Sequence, residues 1–546
     1  MRKRIISLLL VMAMLLSILC ACGAKEVPEA AEDTTPPAQK VEEVIEEAPA
    51  LFNETGYPIV NEPVTLTIMA SVDATRTDDL NENTAVKYLE ELTGVDIEII
   101  AVPNTEFEER LSLTLAGDEL PDIILKGLDA TGIEKNLQVG NLIDLAPYIE
   151  AYGENIKAKM EIVEGMSQTM YTSSGAIGSL PQLNMMTQYG VCPNSVFTIY
   201  QPWLDALNLE VPTTAEELYT VLKAFKEQDP NGNGKADEVP FAAESVNDTY
   251  ELFSMFGVIA QQKKYRYVDE GDVVKFSPFM PQFKDALTYV KKLYQEGLIN
   301  QDVFTMDTAA VLAMGAGEEA IIGSTIGGAP FTTVGEERNA DMTLIPAIDA
   351  EGYDGVWLSR STCVASCFMI TKDCEYPEVA IRLIDYMYSD DGARLYWMGP
   401  EENYTWNDDG TWNWNLEDGQ TVEQKRATAT LQTSFNLAAA FPVEWFQQND
   451  ASEGVVNSYR VIMGTEYPEN LRLMFPSVTM LEEDAAEYAI INQDLCSYVD
   501  NAIAQFIRGD MDIEKDWDQF VKQCETLRVD EYVAMNQRAY DAWLGK

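Results

Sequence analysis

Residues 229–240 read DPNGNGKADEVP and carry two glycines, two asparagines and three acids. A hard cation such as calcium takes six to eight oxygens from acids, amides and carbonyls on a tightly curved backbone. Asp229, Asn231 and Asn233 alternate, so their oxygens can face one point. Gly234 permits the sharp turn, the Lys235 carbonyl offers the next oxygen, and Asp237 and Glu238 close the shell. The pattern D-x-[DN]-x-[DN]-G fits as far as Gly234, but its twelfth position is Pro240 rather than Glu, so the loop is not a full EF-hand. The competing reading is a solvated Asx-rich turn after a helix. A structural ion is expected rather than a catalytic one, since calcium activates water weakly and no nucleophile stands nearby in sequence.

Other chemistry is restricted by what the chain lacks. It has 546 residues and no histidine, which excludes Ser-His-Asp and Cys-His nucleophiles, His-ligated zinc and imidazole acid–base work. Carboxylate chemistry stays open, yet with 90 Asp and Glu no particular pair stands out. Cys192, Cys363, Cys367, Cys374, Cys496 and Cys524 match no disulfide or thiolate framework by spacing and read as small buried hydrophobes.

The chain opens MRKRIISLLLVMAMLLSILCACG, with Arg2, Lys3 and Arg4 before an apolar run too short to span a bilayer comfortably. Leu19-Cys20-Ala21-Cys22 resembles the bacterial lipobox. It predicts a signal peptide over residues 1–21 and a diacylglyceryl group on Cys22, with acyl chains holding the protein at the outer membrane face. Residues 22–55 then form an acidic, Pro-rich tether without lasting periodicity. Loss of the leader removes three positive charges, so the net charge of −53 becomes −53 − 3 = −56. That field disfavours nucleic acid and anionic membrane surfaces as partners.

The remainder, residues 56–546, suffices for two large lobes. Alternation over Val64, Leu66, Ile68 and Ala70 predicts a strand. Asn83 caps a helix carrying Val86, Leu89 and Leu92, which Gly94 ends. A strand at 96–102, a helix at 105–116 and an apolar strand at 123–125 follow, a pattern that implies a parallel sheet covered on both faces. Thr213/Glu216 and Thr214/Glu217 are capping boxes for the helix that runs into residues 229–240. Further helices are expected at 283–298, 377–387, 495–507, 516–527 and 531–543.

Several segments, in order, carry a family resemblance: TAVKYLEELTGVDIEI, LAGDELPDIIL, WLDALNLEVPTTAEELYTVLKAFKEQDPNGNGKADEVP, GLINQDVF, ITKDCEYPEVAIRLIDYMYSDDGARL, GPEENYTWNDDG and FIRGDMDIEKDWDQFVKQCETLRVDEYVAMNQRAYD. The chain resembles the extracellular solute-binding lipoproteins of ABC importers, the carbohydrate-type family 1 of Gram-positive bacteria. It departs from the pattern at Gln201-Pro202, where relatives usually show a charged pair, and in GPEENYTW, which lacks a Gly after its acid. The resemblance implies an α/β, two-lobed clamshell like the periplasmic binding proteins. Each lobe would be a mostly parallel sheet flanked by helices, with several hinge crossovers. Lobe 1 is expected at about 60–170 plus 305–360, and lobe 2 at about 175–300 plus 365–546. It also implies a monomer at the extracellular face of the cytoplasmic membrane that binds a sugar or oligosaccharide, makes no bond, and hands its cargo to the permease. Family members hold calcium at the loop carried here by Asp229, Asn231, Asn233, Lys235, Asp237 and Glu238.

Sugar sites stack rings on aromatic faces and hydrogen-bond hydroxyls to acids, amides and Arg. The loop SVDATRTDDLNEN offers Asp73, Asn81 and Glu82, and STIGGAP offers Ser324 and Thr325. Trp357, Arg360 and Trp445 lie in polar, loop-like settings, where the two tryptophans are expected to be partly exposed. Core or hinge packing is the competing role for each. Trp203, Trp397 and Trp517 read as core, and WNDDGTWNWN as a hairpin around Asp409-Gly410. Alternatives from other classes are a carboxylate-dependent glycan-cleaving enzyme and a calcium-binding surface adhesion protein. A peptide cargo is a further option.

Overall fold

The computed structural model describes residues 52–546 apart from 73–78, 173, 184, 187–189, 192, 194, 244, 262–263, 307, 360–361, 433–441 and 450–452. The expected leader, Cys22 and most of the tether lie outside the described residues. Among those described, no helix is long and apolar enough to cross a membrane.

The chain first builds β1 (Val64–Val72), α1 (Thr84–Thr93), β2 (Val95–Pro103), α2 (Phe107–Leu115), β3 (Ile123–Ile124), α3 (Met166–Met170) and β4 (Leu180–Leu183). Asn83 caps α1 as its sequence predicts, its Oδ1 accepting from Ala85 N at 2.9 Å. Gly94 ends the helix at φ 74°, where a Cβ would meet Val60 O at 2.9 Å, so left-handed backbone and close approach both require glycine.

A second set follows: β5 (Val196–Tyr200), α4 (Ala215–Glu227), α5 (Phe283–Gln295), β6 (Ser324–Gly327), β7 (Met342–Leu344) and β8 (Trp357–Ser359). The chain then returns through β9 (Cys363–Ile370), α6 (Pro377–Met387), α7 (Asp390–Met398), β10 (Tyr404–Trp406) and β11 (Trp412–Trp414). It leaves again for α8 (Glu453–Glu466), β12 (Leu471–Leu473), α9 (Glu482–Arg508), α10 (Ile513–Thr526) and α11 (Val529–Trp543).

Two hydrophobic cores result. The first joins residues 52–183 with 363–445, and the second joins 197–357 with 463–539. The expected partition therefore needs correction. Residues 305–357 pack with the second core, and the stretch to 445 packs with the first. The reason is strand order. In the first sheet, β2-β1-β3-β9-β4, the returning β9 lies between β3 and β4, antiparallel to both, while β1 is parallel to β2 and β3. The second sheet, β6-β5-β7, is antiparallel rather than mostly parallel. Residues 239–242 extend it with parallel bridges to Ile322 and Thr325.

The hairpin β10–β11 turns at Gly410 (φ 86°) and supplies the first core instead of decorating it. Trp412 is fully buried, and its ring lies 5.0 Å from Trp414 and 6.0 Å from Trp445.

Asn83 also ties α1 to a distant segment, since its Nδ2 donates to the Ala427 and Thr430 carbonyls at 3.0 and 3.1 Å. Asn83→Ala removes the cap and the side-chain bonds to both carbonyls, that of Thr430 being buried. It is expected to cost about 2–4 kcal/mol in urea denaturation, and a loss below about 0.5 kcal/mol would contradict this role.

Candidate functional site

The ion loop leaves the C-terminal end of α4, and backbone N–H groups wrap its first side chains. Asn233 N and Gly234 N donate to Asp229 Oδ1 and Oδ2 at 3.1 and 3.0 Å, and Lys235 N donates to Asn233 Oδ1 at 2.7 Å. Asp229, Gly232 and Gly234 all take positive φ (47°, 68° and 75°), so the turn is as tight as the sequence predicts. The Asn233 amide nitrogen lies against the Asp237 carboxylate, 3.1 and 3.2 Å from its two oxygens. A half-turn of that amide would present its oxygen instead. Glu319 reaches in from the segment before β6 to pair with Lys235 at 3.1 Å.

Glu238 marks the unmet part of this loop. Its Oε1 is buried without a donor. Desolvation, followed by the repulsion of Asp237 and Asp229, raises its pKa above the ordinary carboxylate value. Two further carboxylates near a buried oxygen that lacks a donor suit a hard cation. Among the described residues no three Asp, Glu, Cys or His side chains form a ready metal cluster, so any cation here needs the amide and carbonyl oxygens as well.

The cleft residues expected from sequence do not converge. At the first sheet, the carboxyl ends of β1 to β4 and the amino end of β9 share one edge. At the second, the amino end of β5 and the carboxyl ends of β6 and β7 do so. The crossing at 183–196 runs from the first edge to the second, while 359–363 leads to the first edge from β8, which pairs with β12 outside the second sheet; the loops after β1 and β6 issue at the two edges so connected.

Asp73 and Arg360 lie outside the described residues. Asn81 is committed to the fold, its Oδ1 accepting from Ile99 N at 2.8 Å, while Glu82 is exposed. Ser324 and Thr325 are buried inside β6. The Ser324 hydroxyl donates to Pro240 O at 2.8 Å, and the Thr325 hydroxyl lies 3.2 Å from that of Thr333.

Trp357 (4% exposed) and Trp445 (0%) correct the expectation of partial exposure. Trp357 lines a cavity of about 10 Å³ in the second core, room for one water at most. Trp445 packs 5.3 Å from Trp397 in the first core. The polar neighbours that suggested exposure face elsewhere. Arg460 was missed by sequence reading. Its guanidinium donates to Gly328 O at 2.7 Å and so fixes the glycine-rich turn after β6.

Cys363, Cys367, Cys374, Cys496 and Cys524 are buried thiols in no disulfide, as their apolar settings predict. Burial pushes Cys367 up to about 11 and the other four up to about 12. None of them is a thiolate nucleophile near neutral pH. Cys192 lies outside the described residues.

An α/β arrangement of two cores joined by repeated crossings, with loops gathered at one edge of each sheet, is the architecture of a two-part solute-binding fold. The chain belongs to the bacterial extracellular solute-binding protein family, whose profile matches residues 73–394. It is 26% identical to the fructooligosaccharide ABC transporter substrate-binding protein FusA of Streptococcus pneumoniae serotype 4, over 97% of this chain and 96% of that protein. It is 29% identical to the lipoprotein LipO of Bacillus subtilis strain 168, over 42% and 44% of the two chains. Among solved structures, FusA of S. pneumoniae in complex with kestose superposes with a TM-score of 0.73 at 22% identity, covering 88% of this chain and 99% of that one. FusA has also been solved as an EF-hand mutant with fructo-nystose. These superpositions establish the fold. The full-length relative is a transporter binding protein, not an enzyme.

With divalent cations chelated, Glu238→Gln is expected to raise the melting temperature at neutral pH, because an amide replaces a buried, crowded carboxylate. A carboxylate whose folded pKa is raised is tolerated while protonated and costs stability as pH rises through the folded value. The variant's advantage should therefore vanish on acidification below the ordinary carboxylate range. A melting temperature below wild type in chelator at neutral pH would refute the strained-carboxylate reading.

Proposed function

We propose that this chain is a membrane-anchored binding protein that takes a sugar or oligosaccharide between its two cores and delivers it to the permease of an ABC importer. The match to FusA, over 97% of this chain and 96% of that protein, carries the proposal. The facing edges of the two sheets are where the ligand would sit, and the glycine-rich turn after β6, held by Arg460, is one wall. Ligand would prefer the closed arrangement and shift the population toward it. Lipidation at Cys22 would hold the protein, as a monomer, outside the cell with its tether as spacer. Asp73 and Arg360, adjoining these edges in sequence, remain the candidate polar contacts.

Calcium is the proposed ion of the loop at 229–238. Asp229, Asn231, Asn233, Asp237 and Glu238 would contribute side-chain oxygens and Lys235 its carbonyl. The bound ion would stiffen the loop and take no part in transport chemistry. Its binding has to displace any proton on Glu238, so affinity should fall as pH is lowered.

A thermal-shift screen across mono- and oligosaccharides is expected to find at least one that raises the melting temperature, with compaction in small-angle scattering. If no saccharide at millimolar concentration moves it, the saccharide assignment fails. Glycan degradation in the same incubations would point to the enzyme alternative. Asp229→Ala should lower the melting temperature in calcium and leave binding at saturating saccharide nearly intact. Lost binding with an unchanged melting temperature would overturn the structural role of the ion.

A further inference from the structure

Both asparagines of the ion loop precede glycine, at Asn231-Gly232 and Asn233-Gly234. In such a pair the glycine nitrogen can attack the preceding side-chain amide, since no Cβ blocks the approach. The structure treats the two pairs differently. Gly232 N donates to a peptide carbonyl, Asp229 O, at 3.1 Å. Gly234 N donates instead to the Asp229 carboxylate, 3.0 Å from Oδ2. A carboxylate can take the proton of the attacking nitrogen, and a peptide carbonyl cannot.

The Asn233 amide is set for the same step. Its Oδ1 accepts from Lys235 N at 2.7 Å, an Asx-turn that curls the amide over the Gly234 peptide. That N–H also stands where negative charge would develop on the oxygen during attack. The amide nitrogen points the other way, against both Asp237 oxygens and Glu319. No heavy atom comes within 4 Å of where a Cβ on Gly234 would stand, so the space beside this peptide is open. Asn231 shares the Asx-turn, its Oδ1 accepting from Asn233 N at 3.0 Å. The base is therefore what separates the two sites.

We propose that Asn233 is a self-deamidation site, with Gly234 N as nucleophile, Asp229 as base and the Lys235 N–H as oxyanion donor. The bond from Gly234 N to Asn233 Cγ forms, and the bond from Cγ to Nδ2 breaks. The Gly234 proton passes to Asp229 and on to the departing nitrogen, which leaves as ammonia. Water then opens the cyclic imide to Asp or to isoaspartate, which carries one more methylene in the backbone. Asp keeps the D-x-[DN]-x-[DN]-G pattern, whereas isoaspartate lengthens the turn. A cation on Asp229 would occupy the base, so the reaction belongs to the ion-free loop.

The test holds full-length protein at neutral pH with divalent cations chelated. Mass spectrometry follows the tryptic peptide of residues 227–235, which contains both asparagines. Asn233 is expected to deamidate about tenfold faster than Asn231 in the folded chain, and the two rates should converge in urea. Equal rates in the folded chain overturn the proposal, and so does a lead of Asn233 that persists in urea. This comparison needs no variant. Asp229→Asn should slow Asn233 by about tenfold while leaving Asn231 unchanged. A faster Asn233 in that variant would mean that the bond to Asp229 protects the nitrogen, and would also overturn the proposal. The calcium arm alone rests on the ion proposed for this loop. Slowing of Asn233 by calcium supports the competition, and an unchanged rate overturns it while the chelated samples still decide the ring closure.

Discussion

Everything in this molecule depends on one chain closing two hydrophobic cores and crossing between them three times. The crossings run from β4 to β5, from β8 to β9, and from the segment around Trp445 to α8. The cores are separate clusters that share α8, which packs Val461 against the first and Met463 into the second. In the proposed binding role, a ligand that bridges the two sheet edges would shift the population toward the arrangement it contacts best.

The local chemistry was legible because it is written in adjacent residues. The cap at Asn83, the stop at Gly94 and the tight turn through Asp229, Gly232 and Gly234 all appear where their spacing places them. Core membership was not legible, because it depends on pairings more than a hundred residues apart. Nothing in CVASCFMI announces that β9 will lie between β3 and β4, and that one insertion moves residues 363–445 from one core to the other. Trp357 and Trp445 misled for the same reason. Polar neighbours along the chain describe the opposite face of a strand or turn, while a ring's own surroundings are set by tertiary packing. Trp412 shows this within one hairpin, being buried while Trp406, its partner across the strands, is 45% exposed.

The absence of histidine has a physical counterpart in the folded chain. Its buried thiols are all pushed to about 11 or 12, and burial likewise raises Tyr250, Tyr265 and Tyr532. Such groups act as fixed dipoles and packing surface, not as proton carriers. That suits an oligosaccharide-binding protein, where hydrogen bonds and ring faces matter and proton transfer does not.

The ion loop and the candidate cleft are linked by backbone. Residues leaving the loop enter the second sheet at once. Val239 N donates to Ile321 O at 2.7 Å, Gly323 N to Val239 O at 2.9 Å, and Ala242 N to Ser324 O at 2.9 Å. Ser324 adds a side-chain bond to Pro240 O. The strand that follows the ion is therefore the neighbour of β6, whose carboxyl end carries the glycine-rich turn at the sheet edge. Gly327 and Gly328 leave that turn intrinsically loose, because glycine gives up more backbone freedom on ordering than any other residue. Pinning its base through residues 239–242, and its Gly328 carbonyl through Arg460, lowers the entropy still to be lost when ligand arrives. A cation held at 229–238, as proposed, would in this way stiffen the base of that turn through the backbone alone.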